Sequence, residues 1–223
     1  MTEREGRKKM GIRRTITLAV ATGVLALGVG TSASAEPAQH RSAEAEWHPQ
    51  SGAGPVDGSH ASLTVTDRTA SFRWHATDLH PGHAYTVWVV IINNPEACAT
   101  SPCTAGDLLF DTDDVQGEVV YGAGHVVGAS GRSSFGGSVK AGDLGGTGWF
   151  GNGLQDPMTA EIHLVLNDHG PADPAYLPTM IDSYRGGCTD SSLPPPFPAT
   201  AKSDGDPGPN TCRLHQTVIP VIG

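Results

Sequence analysis

Long hydrophobic runs are missing from this 223-residue chain. The longest, Ile16 to Val29, spans about 14 residues, short of the roughly 20 that a membrane-crossing helix needs. Basic residues are also scarce: 14 Lys+Arg stand against 23 Asp+Glu, for a formal charge of −9. Phosphate backbones and anionic lipid surfaces are held by Lys and Arg, so this balance excludes nucleic acid as a partner. Helical periodicity is absent too. After residue 60 the apolar residues recur with period two rather than 3.6, which excludes a helical bundle. Catalytic signatures are equally lacking. There is no G-x-S-x-G elbow, no H-E-x-x-H, no glycine loop ending in Gly-Lys-Ser/Thr, and no dinucleotide fingerprint after a strand.

Residues 1–35 read as an export signal. Arg4, Arg7, Lys8, Lys9, Arg13 and Arg14 form a basic region, the Ile16–Val29 run follows, and Ala33-Ser34-Ala35 supplies a small-residue cleavage site. Arg13-Arg14 with Ile16 also resembles a twin-arginine signal, so the general secretory and twin-arginine routes both stay open. Cleavage after Ala35 leaves eight Lys+Arg and 21 Asp+Glu, a formal charge of −13, together with all ten histidines. The expected location is outside the cell or on the exterior of its envelope, with no membrane span once the signal is removed. Residues 36–60, small, polar and rich in Pro and Gly, read as a flexible leader. Residues 61–223 then form one domain.

The four cysteines, Cys98, Cys103, Cys188 and Cys212, all lie in the exported part. An even count in an oxidising compartment reads as two disulfides with three connectivities open. Pairing by nearness predicts Cys98–Cys103 and Cys188–Cys212, with a zinc site as the alternative. The loop-entropy model makes the first worth about 2 kcal/mol and the second about 3.5 kcal/mol.

Strand readings follow from the period. Leu63 and Val65 alternate with polar residues, as do Phe72 and Trp74, and Asp67-Arg68 turns the chain between them into a hairpin. AYTVWVVIINNP, Ala84 to Pro95, is apolar at both parities and reads as a strand buried on both faces. Gly117–Val127 and Arg132–Lys140 read as a second hairpin. AGDLGGTGWFGNGLQDP carries six glycines in 17 residues and reads as a long loop, in which Trp149-Phe150 either caps the core or covers a site. AEIHLVLNDHGP, Ala160 to Pro171, mirrors the earlier twelve-residue stretch, which suggests equivalent central strands in two facing sheets. Strands over 179–184 and from Arg213 to about Val221 complete the set. The expected fold is all-β: an antiparallel β-sandwich or Greek-key barrel of about eight strands, stapled by disulfides.

One constellation carries chemistry. Strand alternation puts Glu161 and His163 on one face, with Cα atoms about 6.6 Å apart, close enough to chelate one divalent transition metal. Completing a metal site requires partners from elsewhere. His75 is one, on the polar face of its strand; His169 is another, if the chain turns near Asn167. His80 and His83 are further candidates. The competing reading makes Glu161 and His163 solvent-face residues of a half-exposed strand. The acidic string Asp107, Asp111, Asp113, Asp114 and Glu118 does not keep the spacing of a calcium loop, because Gln116 and Gly122 stand where Gly and Glu are required.

GRSSFGGSV, followed later by AEIHLVL and a turn ending in Gly-Pro, resembles the CHRD type of extracellular β-domain. That resemblance implies a Greek-key fold distantly similar to copper–zinc superoxide dismutase, with an A-H-I-H segment. Glu161 stands where its first histidine would be, and only His163 matches the second. The functional expectation is a secreted, non-enzymatic binding or structural module for an extracellular ligand or partner. The alternative is a metal-dependent binding protein or enzyme using Glu161 and His163.

Overall fold

The computed structural model describes residues 37–142, 144 and 148–220; the expected export signal lies outside them. Eight strands form one antiparallel sheet: β1 Gln39–Trp47, β2 Pro55–Val65, β3 Thr69–Ala76, β4 His83–Ile92, β5 Gly117–Val126, β6 Ser133–Lys140, β7 Glu161–Pro171 and β8 Arg213–Val218. Their order is β5-β4-β7-β8-β1-β2-β3-β6. The sheet curls until its edges β5 and β6 face each other, giving the nearly closed order 1-2-3-6-5-4-7-8. In it β6 returns beside β3 and β7 beside β4, the Greek-key pattern. The all-β expectation holds, in its barrel form.

Side-chain parity sorts the core into two layers. Leu63, Phe72, Trp74, Tyr85, Val87, Val89, Ile91, Ile162, Leu164 and Leu166 fill the inside. Trp88, Val90 and Ile92 point outward from β4, yet they are buried as well, beneath Leu108, Trp149, Tyr184, Leu193 and Ala201. That second layer explains why β4 is apolar at both parities. It is held down by the two disulfides, Cys98–Cys103 and Cys188–Cys212, paired as expected with Cα atoms 5.5 and 5.4 Å apart. The Pro-rich segment between Cys188 and Cys212 has no core of its own and lays Leu193, Phe197 and Ala201 on the outer face of the barrel.

Four expectations need correction. Residues 36–60 are not a flexible leader, because β1 pairs with β2 and with β8. Its inward residues are Arg41, Ala43 and Ala45, so the period-two signal was carried by small side chains and one arginine. The Arg41 guanidinium is buried and donates to the carbonyls of Met158 (3.0 Å) and Ala160 (3.3 Å). Next, β5 and β6 are not a hairpin; β5 pairs with β4 and β6 with β3. Third, the two similar twelve-residue stretches do not lie in facing sheets. They are β4 and β7, direct neighbours in register Val90↔His163. Last, residues 177–180 wind into a helical turn, with the Met180 amide donating to Tyr176 O at 2.9 Å. The count of eight survives because β1 replaces the strand expected there.

The seam between β5 and β6 closes by contact instead of a ladder. Gly122 is the extra residue of a bulge in β5 opposite Val87/Trp88, and a Cβ on Gly137 would sit 2.5 Å from the Gly122 carbonyl and 2.8 Å from the Phe72 ring. Only glycine lets the backbones meet so closely. Gly137→Ala should therefore cost about 1–3 kcal/mol as overpacking, read as a shift of the urea midpoint at unchanged slope. Cys188→Ser with Cys212→Ser should cost about 3.5 kcal/mol by loop entropy. A seam variant as stable as the parent would show that the closure is not tight.

Candidate functional site

The alternation of β7 sets two environments along one strand. Ile162, Leu164 and Leu166 point into the barrel, each 1 % exposed or less. Glu161, His163 and Val165 point outward into the second layer. Near the N-terminal end of the strand, His163 Nε2 lies 2.6 Å from Glu161 Oε1. The same carboxylate oxygen accepts the Cys103 amide at 2.7 Å. Cys103 is placed there twice over. Its disulfide ties it to Cys98, and it directly precedes Thr104, the N-cap of helix α1 (Ala105–Phe110). Thr104 and Asp107 complete a reciprocal capping box, which satisfies two orphan amides of that short helix. Burial alone would raise the Glu161 carboxyl; the bonds from His163 and Cys103 and the charge of His163 outweigh it and hold the group below 4.5.

α1 and the disulfide-bound segment leave a cavity of about 270 Å³ between themselves and the outer face of β4 and β7. Trp88, Val90, Leu108, Trp149, Phe197 and His163 are among its walls. Trp88 and Trp149 meet edge to face at 5.1 Å, and Phe197 stands at 5.7 Å from Trp149. The Gly-rich loop thus both caps the second layer and supplies a wall. It is held there by the buried Glu118 carboxylate, which accepts the amides of Phe150 (3.0 Å), Gly151 (2.9 Å) and Gly153 (3.1 Å). Two polar atoms of wall residues have no partner among the described residues. Trp149 Nε1 is buried and makes no hydrogen bond. His163 uses Nε2 on Glu161, and its Nδ1 makes none.

The four residues proposed from the sequence as metal ligands do not converge. Glu161 and His163 meet, but among the described residues no third His, Cys, Asp or Glu ligand atom lies within 4.8 Å of both. His75 sits on β3 beside His60, ring centroids 5.6 Å apart, in an open polar groove of about 690 Å³ with Arg73 and Ser134. His169 is not in a turn, because β7 continues to Pro171. Its ring is fully buried and fully used: Nδ1 lies 2.7 Å from Gly186 O, and Nε2 lies 2.7 Å from Thr86 Oγ1 and 3.2 Å from Asn167 Nδ2. Burial pushes its pKa down to about 4. Sequence reasoning missed the aromatic walls, whose residues come from three separate segments. It also missed Asp168, which gathers His80, His83 and Tyr85 at the other end of β7. The turn chemistry of His80-Pro81-Gly82-His83 was the visible signal for that group.

Two pH limbs follow. His169 titrates near 6.5 in the unfolded chain and at about 4 in the fold, so its contribution is complete above pH 6.5 and is lost as pH falls toward 4. His215, also depressed to about 4 by burial, acts in the same direction. Glu161 is depressed, so its contribution is complete above 4.5 and disappears at lower pH. Urea unfolding across pH 8 to 3 should show stability falling in both windows. His169→Gln should flatten the upper limb and Glu161→Gln the lower. Parallel curves for all three proteins would contradict these assignments.

Among the described residues no helix is long and apolar enough to cross a membrane. Comparison of the chain with protein-family models, with curated proteins and with solved structures finds no match to any of them.

Proposed function

We propose that this is an exported, non-enzymatic binding protein that takes a small, mostly apolar molecule bearing one polar oxygen group. The carrying observation is the cavity on the outer face of β4 and β7, apolar on most of its wall yet bearing the buried His163 ring, which is paired through Nε2 with the part-buried Glu161. His163 Nδ1, with Nε2 committed to Glu161, accepts a ligand hydroxyl. At about 270 Å³ the cavity falls just below the usual range for small-molecule sites, roughly 300–1,000 Å³, which favours a single ring or a short chain. The disulfides and the N-terminal sequence support export.

The hydroxyl tests the polar end directly. Calorimetric titration with 4-butylphenol should give saturable 1:1 binding, and butylbenzene, which lacks the hydroxyl, should bind about tenfold more weakly, the value of one hydrogen bond of about 1.4 kcal/mol. His163→Ala should erase the difference between the two. Val165→Trp, which fills the cavity, should abolish binding of both while leaving the far-ultraviolet spectrum unchanged. Absence of saturable binding in the parent, or undiminished binding in Val165→Trp, would overturn the reading.

A further inference from the structure

The end of β7 away from the cavity carries a second site, on the barrel's inner side. It begins with a local turn. Pro81 and Gly82, the latter at φ +78°, fold the chain so that the His83 amide donates to His80 O at 3.2 Å. Such a turn returns both imidazoles to one side. Strand pairing then sets Asp168 opposite Tyr85. The result is a tight convergence: His80 Nδ1 lies 2.9 Å from Asp168 Oδ2, and His83 Nδ1 lies 2.9 Å from Oδ1 and 3.2 Å from Oδ2. The Tyr85 hydroxyl stands 3.2 Å from Oδ2, and the Gly170 amide 2.8 Å from Oδ1.

Asp168 is 1 % exposed. Buried carboxylates are compensated by a cation or bind a metal. Arg213 is its cross-strand partner in β8 but forms no ion pair with it; among the described residues its ion pairs are with the two imidazoles. One ligand atom from each of His80, His83 and Asp168 lies within 4.8 Å of the others. Tetrahedral zinc bonds of about 2.0–2.2 Å to imidazole nitrogen and carboxylate oxygen place adjacent ligands about 3.3–3.6 Å apart. The two imidazole–carboxylate distances, 2.9 Å each, need only open slightly to admit an ion. His215 adds an independent mark. It is the extra residue of a bulge in β8, since Leu166 pairs with Gln216 and Asn167 with Leu214. It packs its buried ring 5.2 Å from His80 and 5.5 Å from Tyr85, with Nδ1 unpartnered. Bulges of this kind re-aim side chains beside functional sites.

We infer that His80, His83 and Asp168 form a binding site for a divalent first-row transition ion. Two imidazoles and one carboxylate match zinc in charge and ligand type. On binding, each ring carries its proton on Nε2 and offers Nδ1 to the ion. Tyr85 holds the carboxylate from the inner side. The side chain of His80 is 45 % exposed, so the remaining coordination positions open toward solvent there.

Untagged protein, stripped with a chelator and titrated with Zn²⁺ alone, tests the site. Binding with 1:1 stoichiometry is expected, weakened at least tenfold in His80→Ala and in His83→Ala, and unchanged in His75→Ala and His163→Ala. His80 is exposed enough that its replacement should not unfold the chain, so the result does not depend on Asp168→Asn being stable. No 1:1 binding by the parent, or equal affinity in parent, His80→Ala and His83→Ala, would overturn the inference. The cavity variant Val165→Trp should bind Zn²⁺ normally, which separates failure here from failure of the proposed ligand pocket.

Discussion

The ladder between β4 and β7 is the constraint on which the remaining structure depends. Two strands that are buried on both faces cannot sit at an edge or against water, so each needs a partner beside it and a layer on either side. They become each other's partner, with nine registered pairs from His83↔Pro171 to Ile92↔Glu161. Inside, the curled sheet supplies the covering layer. Outside, no sheet remains to do it, and short helices, the Gly-rich loop and the Cys188–Cys212 segment are recruited instead. Those segments have little regular structure, which is why two disulfides are spent on them.

Polar groups on this pair of strands are tolerated only where they find full hydrogen-bonding or a use. His169, Asn167 and Thr86 form a closed set with the Gly186 carbonyl. Glu118, 1 % exposed, is satisfied by amides of the loop it anchors. Against these complete networks, the loose ends stand out. Among the described residues Arg41 Nε, Trp149 Nε1 and His215 Nδ1 are buried and unpartnered, and the last lies beside the His80–His83–Asp168 group. His163, held by Glu161, lines an apolar cavity, whereas His80, His83 and Asp168 converge on one another. The first arrangement suits an organic ligand and the second an ion, because a metal requires several converging donors and an apolar wall supplies none.

Parity and bulges explain why the two sites face opposite ways. His163 and Asp168 are five residues apart on one strand, so a regular β7 would already put them on opposite faces. Register shifts near Tyr85 and between Leu166 and Asn167 then turn the C-terminal part of the strand, fitting Asp168 to the barrel's inner rim. His169, six residues beyond His163, keeps the outer face by the same parity and is buried there, where the sequence had suggested a turn.

Residues alone were enough to establish the all-β class, both disulfides, the β2–β3 hairpin, the double-sided burial of β4 and the meeting of Glu161 with His163. Each of these is local: a period of two, a neighbouring cysteine, or a spacing of i and i+2 is expressed by the chain itself. Only the tertiary structure decided that β1 belongs to the sheet, since its inward face is built from alanines and Arg41 and is recognised by its backbone ladder rather than by apolar bulk. It also decided that β5 and β6 meet across a seam of glycines, and that His75 and His169 are remote from His163 while Asp168 joins His80 and His83. These are distances between segments up to 88 residues apart along the chain. They depend on strand order and on single-residue bulges, neither of which leaves a periodic trace in the sequence.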